Sequence, residues 1–266
     1  MAKNTPKKNS PGARAEEREA AAAKRASRQD RKERAAAALA AREKARKRKE
    51  RLGIAAVVVA VLLVIGGITL WQMNESDKRA DAEPPANAVD DYALAIGDPE
   101  APHTLEIYED FLCPACGGFE SLSNETLAQA AEDGKVYVKY LPFELLGQYG
   151  DYSKEAANAF AVVLDAYGPE VAKKFHDELF ADQPSESGDK PGADWLVEKA
   201  VEAGAEESKV RPGIEDMKFE YWVENATTNA LEDNDVDGTP TIRLDGKDVE
   251  GADYNQVLAN IMSAIG

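Results

Sequence analysis

The sequence predicts an α/β domain with a helical insertion, preceded by one transmembrane helix, on three observations. Residues 52–71 form an uncharged apolar run long enough to cross a bilayer. Two alternating segments, residues 104–108 and 135–141, flank a helical pattern that opens at a Cys-x-x-Cys pair. A long helical stretch, from about residue 150 to 235, then precedes a returning strand signal at residues 241–244.

The chain of 266 residues has a formal net charge of −17, and that average hides a split. Residues 1–51 hold 18 Lys/Arg against 7 Asp/Glu, a net of +11, and the remainder holds 14 against 42, a net of −28. Such asymmetry signals two compartments or two partners. Residues 1–51 are rich in Ala, Lys, Arg and Glu and contain almost no large apolar residue besides Leu39. They cannot bury a core, so they read as a disordered tail or a solvated helix. The basic run at residues 44–51 would suit nucleic acid, since Lys and Arg neutralise phosphates. It ends at the apolar run instead, which points to anionic lipid and to a basic end held in the cytoplasm. The −28 of the outer part argues against nucleic acid as a partner there.

Residues 52–71 read L-G-I-A-A-V-V-V-A-V-L-L-V-I-G-G-I-T-L-W. At ~1.5 Å per residue they span about 30 Å, the thickness of a hydrocarbon core. A soluble helix of that length normally has a polar face. A cleaved signal peptide has an apolar region of about 7–15 residues behind a short basic lead, whereas the lead here exceeds fifty residues. The run is expected to be a signal anchor in a single-pass cell-membrane protein, with Trp71 at the far interface and the C-terminal part extracytoplasmic.

Residues 72–91 are polar, contain Pro84 and Pro85, and read as a linker. Residues 92–266 are then ample for a globular core. Gly97, Pro99 and Pro102 mark turns before the first strand. The helix after the cysteines should present Phe119, Leu122, Leu127 and Ala131 on one face and stop at Gly134. With the strand at 135–141 it forms a parallel crossover unit. Helical spacing follows in four groups: Ala156, Phe160, Val163, Leu164 and Tyr167; Val171, Phe175 and Leu179; Trp195 and Val201; Ile214, Met217 and Tyr221. Asp245-Gly246 turns the chain after the last strand, and a closing helix covers about residues 254–265.

Cys113 and Cys116, the chain's two cysteines, stand at the junction of the first strand and its helix in C-P-A-C. Unpaired N–H groups at a helix start stabilise a thiolate and lower its pKa. Pro114 suits the first turn, where its missing N–H costs nothing. Cys113 is expected to be the exposed nucleophile and Cys116, one turn deeper, the thiol that closes a disulfide on it. A zinc half-site would need further ligands, and His103 and His176 do not have ligand spacing. A c-type haem needs histidine directly after the second cysteine, where Gly117 stands. The two histidines read as surface or packing residues. Asp233-Asn234-Asp235-Val236-Asp237-Gly238 opens like an EF-hand loop, but its twelfth position is Leu244 rather than glutamate, and Pro240 falls inside it. No metal or other cofactor is expected.

The stretch I-G-D-P-E-A-P-H-T-L-E-I-Y-E-D-F-L-C-P-A-C at residues 96–116 and G-T-P-T at residues 238–241, about 125 residues apart and in that order, resemble the DsbA-like family of thioredoxin-fold proteins. The likeness covers about residue 96 to the C-terminus. It implies a thioredoxin fold with the helical insertion between the two halves of the sheet. It implies further that Pro240 is a cis proline against the dithiol, and that the Thr239 backbone pairs with bound substrate. Pro114 and Ala115 complete the site. Two positions depart from the family: Ala115 replaces the histidine that strong oxidants carry between the cysteines, and Ile107 occupies the place of a buried acid six residues before the first cysteine. Glu106 lies one residue off, nominally on the other strand face.

The function expected is a membrane-anchored thiol–disulfide oxidoreductase that acts on exported thiol-containing proteins, as oxidase, isomerase or reductase. The resemblance implies reoxidation by a membrane quinone-linked partner. A Cu(I)-handling chaperone, for which thiolates suit the soft ion, and a redox-inert envelope scaffold are the rival readings.

Overall fold

The computed structural model describes residues 11–266, and the chain divides into two compact units between Met73 and Asn74. Residues 1–10 of the basic segment lie outside the described residues. Helix α1 (Pro11–Ala80) supplies all the described residues of the first unit and the opening turns of the second. The basic segment from Pro11 onward takes the solvated-helix form, with exposed i,i+4 pairs such as Arg34–Asp30 and Arg46–Glu50. The described residues contain one helix long and apolar enough to cross a membrane. Leu52, Ile54, Val57, Leu63 and Ile68 are exposed along it, with no protein core to receive them. The Trp71 side chain lies outside the described ones.

The second unit is built on a mixed sheet. Its strands are β1 (Leu94–Ile96), β2 (Thr104–Glu109), β3 (Tyr137–Pro142), β4 (Thr241–Leu244) and β5 (Lys247–Asp248), in the spatial order β1-β3-β2-β4-β5. β2 and β3 run parallel, with Ile107 opposite Tyr140, and β4 lies antiparallel on the other side of β2, with Ile242 opposite Ile107. Helix α2 (Pro114–Glu132) makes the crossover from β2 to β3. It ends where Gly134 takes φ +74°, a left-handed value that suits glycine. The insertion is all helical: α3 (Tyr152–Tyr167), α4 (Pro169–Ala181), α5 (Ala193–Glu202), α6 (Glu207–Glu215) and α7 (Glu220–Thr228), the last prolonged by a π-turn over Asn229–Asp233. Helix α8 (Tyr254–Ile265) closes the chain, its start capped by the Asp253 carboxylate, which accepts from the Gln256 N–H at 2.9 Å.

Three differences from the sequence reading have physical causes. Strands β1 and β5 are too short, at three and two residues, to show an alternating pattern. On α2, Leu122 is exposed, and the inward face is Cys116, Phe119, Glu120, Ser123, Leu127 and Ala131. The core therefore accepts a carboxylate where the pattern placed a leucine. Part of the stretch expected to be a linker is ordered against the domain. Arg79 donates to the Glu224 carbonyl at 3.2 Å and to Thr228 Oγ1 at 3.0 Å, Asn87 Nδ2 donates to the Leu164 carbonyl at 2.9 Å, and Trp222 Nε1 donates to the Asp91 carbonyl at 2.7 Å. Those polar residues, which composition assigns to solvent, are used as hydrogen-bonding groups to α3 and α7.

The core lies between the sheet and helices α2, α3, α4 and α8. An aromatic group at its centre joins the site's loop to the insertion. The Phe111 ring is 5.8 Å from Phe160 and 5.2 Å from Phe180, centroid to centroid. Each such pair contributes about 0.5–1.5 kcal/mol beyond burial, so the loop carrying Phe111 is held from two helices at once.

Candidate active site

The chain turns from β2 into α2 through Asp110, Phe111 and Leu112, and this turn is fixed before the sulfurs are placed. Asp110 is fully buried. One of its oxygens accepts from the Leu112 N–H and the Ser153 hydroxyl, both at 2.8 Å. The other accepts from the N–H groups of Leu145 and Leu146 at 2.8 and 2.9 Å. Its carbonyl accepts from the Cys113 N–H at 2.9 Å. Four donors on one carboxylate, from three separate segments, make the turn a rigid support. A second tie comes from the loop after α4. Gln183 Nε2 donates to the carbonyls of Phe111 and Cys113 at 3.0 and 2.9 Å. Its Oε1 comes so close to Gly117 that a Cβ there would meet it at 2.6 Å, so a larger residue would have to push the Gln183 amide aside.

Cys113 occupies the N-cap of α2 and Pro114 its first turn, and Cys116 lies in that same turn on the buried side. The expectation of an exposed nucleophile needs correcting: Cys113 is only 6% exposed and Cys116 1%. The cover is the loop before β4, where the Thr239–Pro240 peptide bond is cis and the Thr239 carbonyl stands 3.3 Å from Cys113 Sγ. The structure thus brings Cys113, Pro114, Ala115, Cys116, Thr239 and Pro240 together, with Ala115 packed half-buried against the core.

The two sulfurs differ sharply in acidity. The Cys116 S–H donates to Cys113 and, against the cost of burial, holds the Cys113 thiol down at about 6. The N–H groups of Cys116 and Ala115 add to this. Cys116 is pushed well above the ordinary thiol range, first by burial, then by donating to Cys113 and by the negative charge of Cys113 and Glu109. At neutral pH the reduced pair is therefore one thiolate and one thiol, the thiolate being the sulfur at the surface edge.

Under the sulfurs lies a buried polar group that the sequence reading did not identify. Glu109 is the last residue of β2, Glu120 stands four residues after Cys116 on α2, and His176 comes from α4; all three are buried. His176 Nε2 is 2.7 Å from Glu109 Oε1 and its Nδ1 is 3.0 Å from Asp177 Oδ1. These carboxylates raise the imidazole to about 9 against the cost of burial. Burial, with Glu109 nearby, lifts the Glu120 carboxyl to about 7 although His176 pulls the other way. His176 is thus a packing residue, between the rings of Tyr140 and Phe180, but one that carries charge. The signal was present in part. Glu109 is two residues beyond Ile107 and so shares its strand face, whereas Glu106 does not. Glu109 is therefore a buried acid on the Ile107 face, one side-chain repeat nearer the cysteines. His103 is at the surface, with Nδ1 2.8 Å from Asp245 Oδ2.

Comparisons with known proteins agree with this geometry. The sequence profile of the thioredoxin family matches residues 90–262. The chain is 23% identical over 198 residues to a probable disulfide bond formation protein D of Bacillus cereus, covering 71% of this chain and 84% of that protein. The crystal structure of reduced DsbA from Mycobacterium tuberculosis superposes with a TM-score of 0.56 at 31% identity, over 65% of this chain and 92% of that one. Oxidised BdbD from Bacillus subtilis superposes with a TM-score of 0.58 at 21% identity, over 70% of this chain and 99% of that one.

Proposed function

Since this chain belongs to the thioredoxin family, and within it to the DsbA-like thiol–disulfide oxidoreductases, we propose that it is a membrane-anchored oxidant of exported proteins, working through Cys113 and Cys116. The observation that carries the oxidising direction is the asymmetry of the pair, with Cys113 held near 6 and Cys116 well above its usual range. A dithiol oxidises others when its reduced form is stabilised, and a low-pKa thiolate is also the better leaving group.

In the proposed cycle a substrate thiolate attacks Cys113 Sγ of the Cys113–Cys116 disulfide. A mixed disulfide forms, and the Cys116 sulfur leaves and takes up a proton. A second substrate thiolate then attacks the substrate's sulfur in that mixed disulfide, and Cys113 leaves as the thiolate its surroundings favour. The substrate has lost two electrons and the enzyme holds them as a dithiol. A membrane partner linked to quinone would accept that electron pair and restore the disulfide. In this reading the Thr239 backbone, whose carbonyl lies 3.3 Å from Cys113 Sγ, would pair with the backbone of bound substrate, as the family resemblance implies.

Two features support the anchor and its orientation: the exposed apolar run of α1 and the Lys/Arg excess on its N-terminal side. One experiment tests both parts of the reading. Cys116→Ala in intact cells should accumulate mixed disulfides with exported proteins, formed when the Cys113 thiolate attacks a disulfide of the substrate and expels its other sulfur as a thiolate, because no Cys116 is left to attack Cys113 and release the adduct; added protease should degrade those adducts once the wall is removed. Cys113→Ala should trap few or none. Equal trapping by both variants would overturn the assignment of roles, and adducts protected from protease would overturn the orientation.

A further inference from the structure

We propose that Glu109, Glu120 and His176 form a buried site for one divalent transition-metal ion of the zinc class, joining β2, α2 and α4 beneath the sulfurs. One ligand atom from each residue lies within 4.8 Å of the other two. A tetrahedral ion with bonds of ~2.0–2.2 Å sets its ligands about 3.4 Å apart, so small side-chain movements complete the cage.

Three further observations point to a ligand rather than to an internal ion pair alone. First, Glu120 is 3% exposed, yet neither of its oxygens has a hydrogen-bond partner, and Glu109 Oε2 has none either. Buried carboxylate oxygens without donors are costly, and a cation is what they lack. Second, His176 is already oriented as a metal-binding histidine would be. Its Nδ1 faces Asp177 at 3.0 Å, which fixes the ring and leaves Nε2 on Glu109 at 2.7 Å, with a Glu120 oxygen inside the same 4.8 Å group. Asp177 is held in turn by Lys173, which also donates to Asn124 at 2.7 Å. Third, a cavity of about 340 Å³ adjoins the group, lined by Gly117, Glu120, Asn124, Glu125, Asp177 and Phe180. Its wall includes the ligand residue Glu120 and Asp177, the partner of His176, so only side-chain movement separates the group from solvent. Charge also closes. A divalent ion with neutral His176 and the Lys173 ammonium balances the three carboxylates of Glu109, Glu120 and Asp177.

The donor set selects the class of ion. An imidazole with two carboxylates suits zinc, manganese or ferrous iron, whereas calcium and magnesium want six or more oxygens. Bound there, the ion would tie the crossover helix of the dithiol to the insertion, and its charge would act on Cys116 one turn away.

The test must deny zinc the thiolates. In the full chain in detergent, with Cys113→Ser and Cys116→Ser introduced together, equilibrium dialysis against zinc should leave one equivalent bound. Cobalt in its place should give ligand-field bands without a sulfur charge-transfer band. Glu120→Gln, which keeps the shape and loses no hydrogen bond, should abolish the bound equivalent. Asp177→Asn should weaken binding by about 10–100-fold. Absence of a bound equivalent in the cysteine-free protein would overturn the proposal. So would binding that persists unchanged in both the Glu120→Gln and Asp177→Asn variants.

Discussion

Two buried carboxylates flank the first turn of α2, and they are treated in opposite ways. Asp110, on the loop side, receives four hydrogen bonds from three segments. Glu120, on the helix side, receives none. A fully satisfied buried acid is a fixed part of the frame, because every partner would be orphaned by its removal. An unsatisfied one is held in place by the packing around it and keeps its binding capacity for something else. The dithiol therefore stands between a rigid support and a site with unused oxygens, on the same helix.

Conservative amide substitutions should separate the two most strongly. Asp110→Asn replaces an acceptor oxygen by an NH2 group that faces N–H donors, so it should cost about 3–5 kcal/mol of stability. Glu120→Gln breaks no hydrogen bond and removes a buried charge, so it should cost less than about 1 kcal/mol. Thermal unfolding of the two variants, side by side in the presence of a chelator, makes the comparison. A loss at Glu120 as large as that at Asp110 would mean that the helix-side acid also belongs to the frame.

Next in size is the coupling of the two sulfurs. The first cause of the low Cys113 pKa is the S–H of Cys116, so Cys116→Ala should move Cys113 from about 6 up toward the ordinary thiol range. Thiolate absorbance against pH reads this directly. The sign for stability follows from the same asymmetry. An unfolded Cys113 keeps its proton to about 9 while the folded one loses it near 6. The reduced fold therefore gains stability between those values as pH rises, by at most about 1.4 kcal/mol per pH unit. That gain fades as pH falls through 6. Above 9 the raised Cys116 acts in the opposite direction. An oxidised protein with the same pH profile as the reduced one would remove Cys113 as the source.

How much of this could be read from the sequence depends on whether a residue's role is local. The strand-to-helix placement of Cys113, Pro114 and Cys116 is a matter of neighbours in sequence, and so is the Thr241–Leu244 strand. The DsbA-like fold was legible because two short stretches far apart in the chain resemble one family in the right order. Burial of Cys113 was not legible, because its cover comes from Thr239, 126 residues away. The polar group was not legible either. Asp110 and Gln183 look like ordinary solvated residues until their partners on distant segments are known. Glu120 sits at a spacing from Cys116 that puts it on the inward face, but helical patterning favours leucine over an acid for such a face and so points to Leu122, which is exposed. His176, in the buried row with Ala172, Leu179 and Phe180, carried a signal that composition alone does not distinguish from packing.

The smallest effect expected concerns Ala115, the residue between the sulfurs. Histidine there would bring a donor or a positive charge near Cys113 and so compete with the influences already present. Those influences come chiefly from fixed groups: the Cys116 S–H and the N–H groups at the start of α2. The helix start itself contributes about 0.3–1 kcal/mol at an exposed site and up to ~2 kcal/mol where partly buried. An added charge at the half-buried position 115 should act on that same scale. Since ~1.4 kcal/mol corresponds to about 30 mV for a two-electron couple, Ala115→His should raise the potential by tens of millivolts and lower the Cys113 pKa together. Glutathione titration and thiolate absorbance on the same protein measure the two. Because Asp110 and Gln183 hold the loop on either side of Cys113, the new side chain meets a sulfur that does not move to accommodate it, so the two quantities should change in step. A potential that rises while the pKa stays at about 6 would locate the effect in the disulfide form, on the Thr239 side of the site.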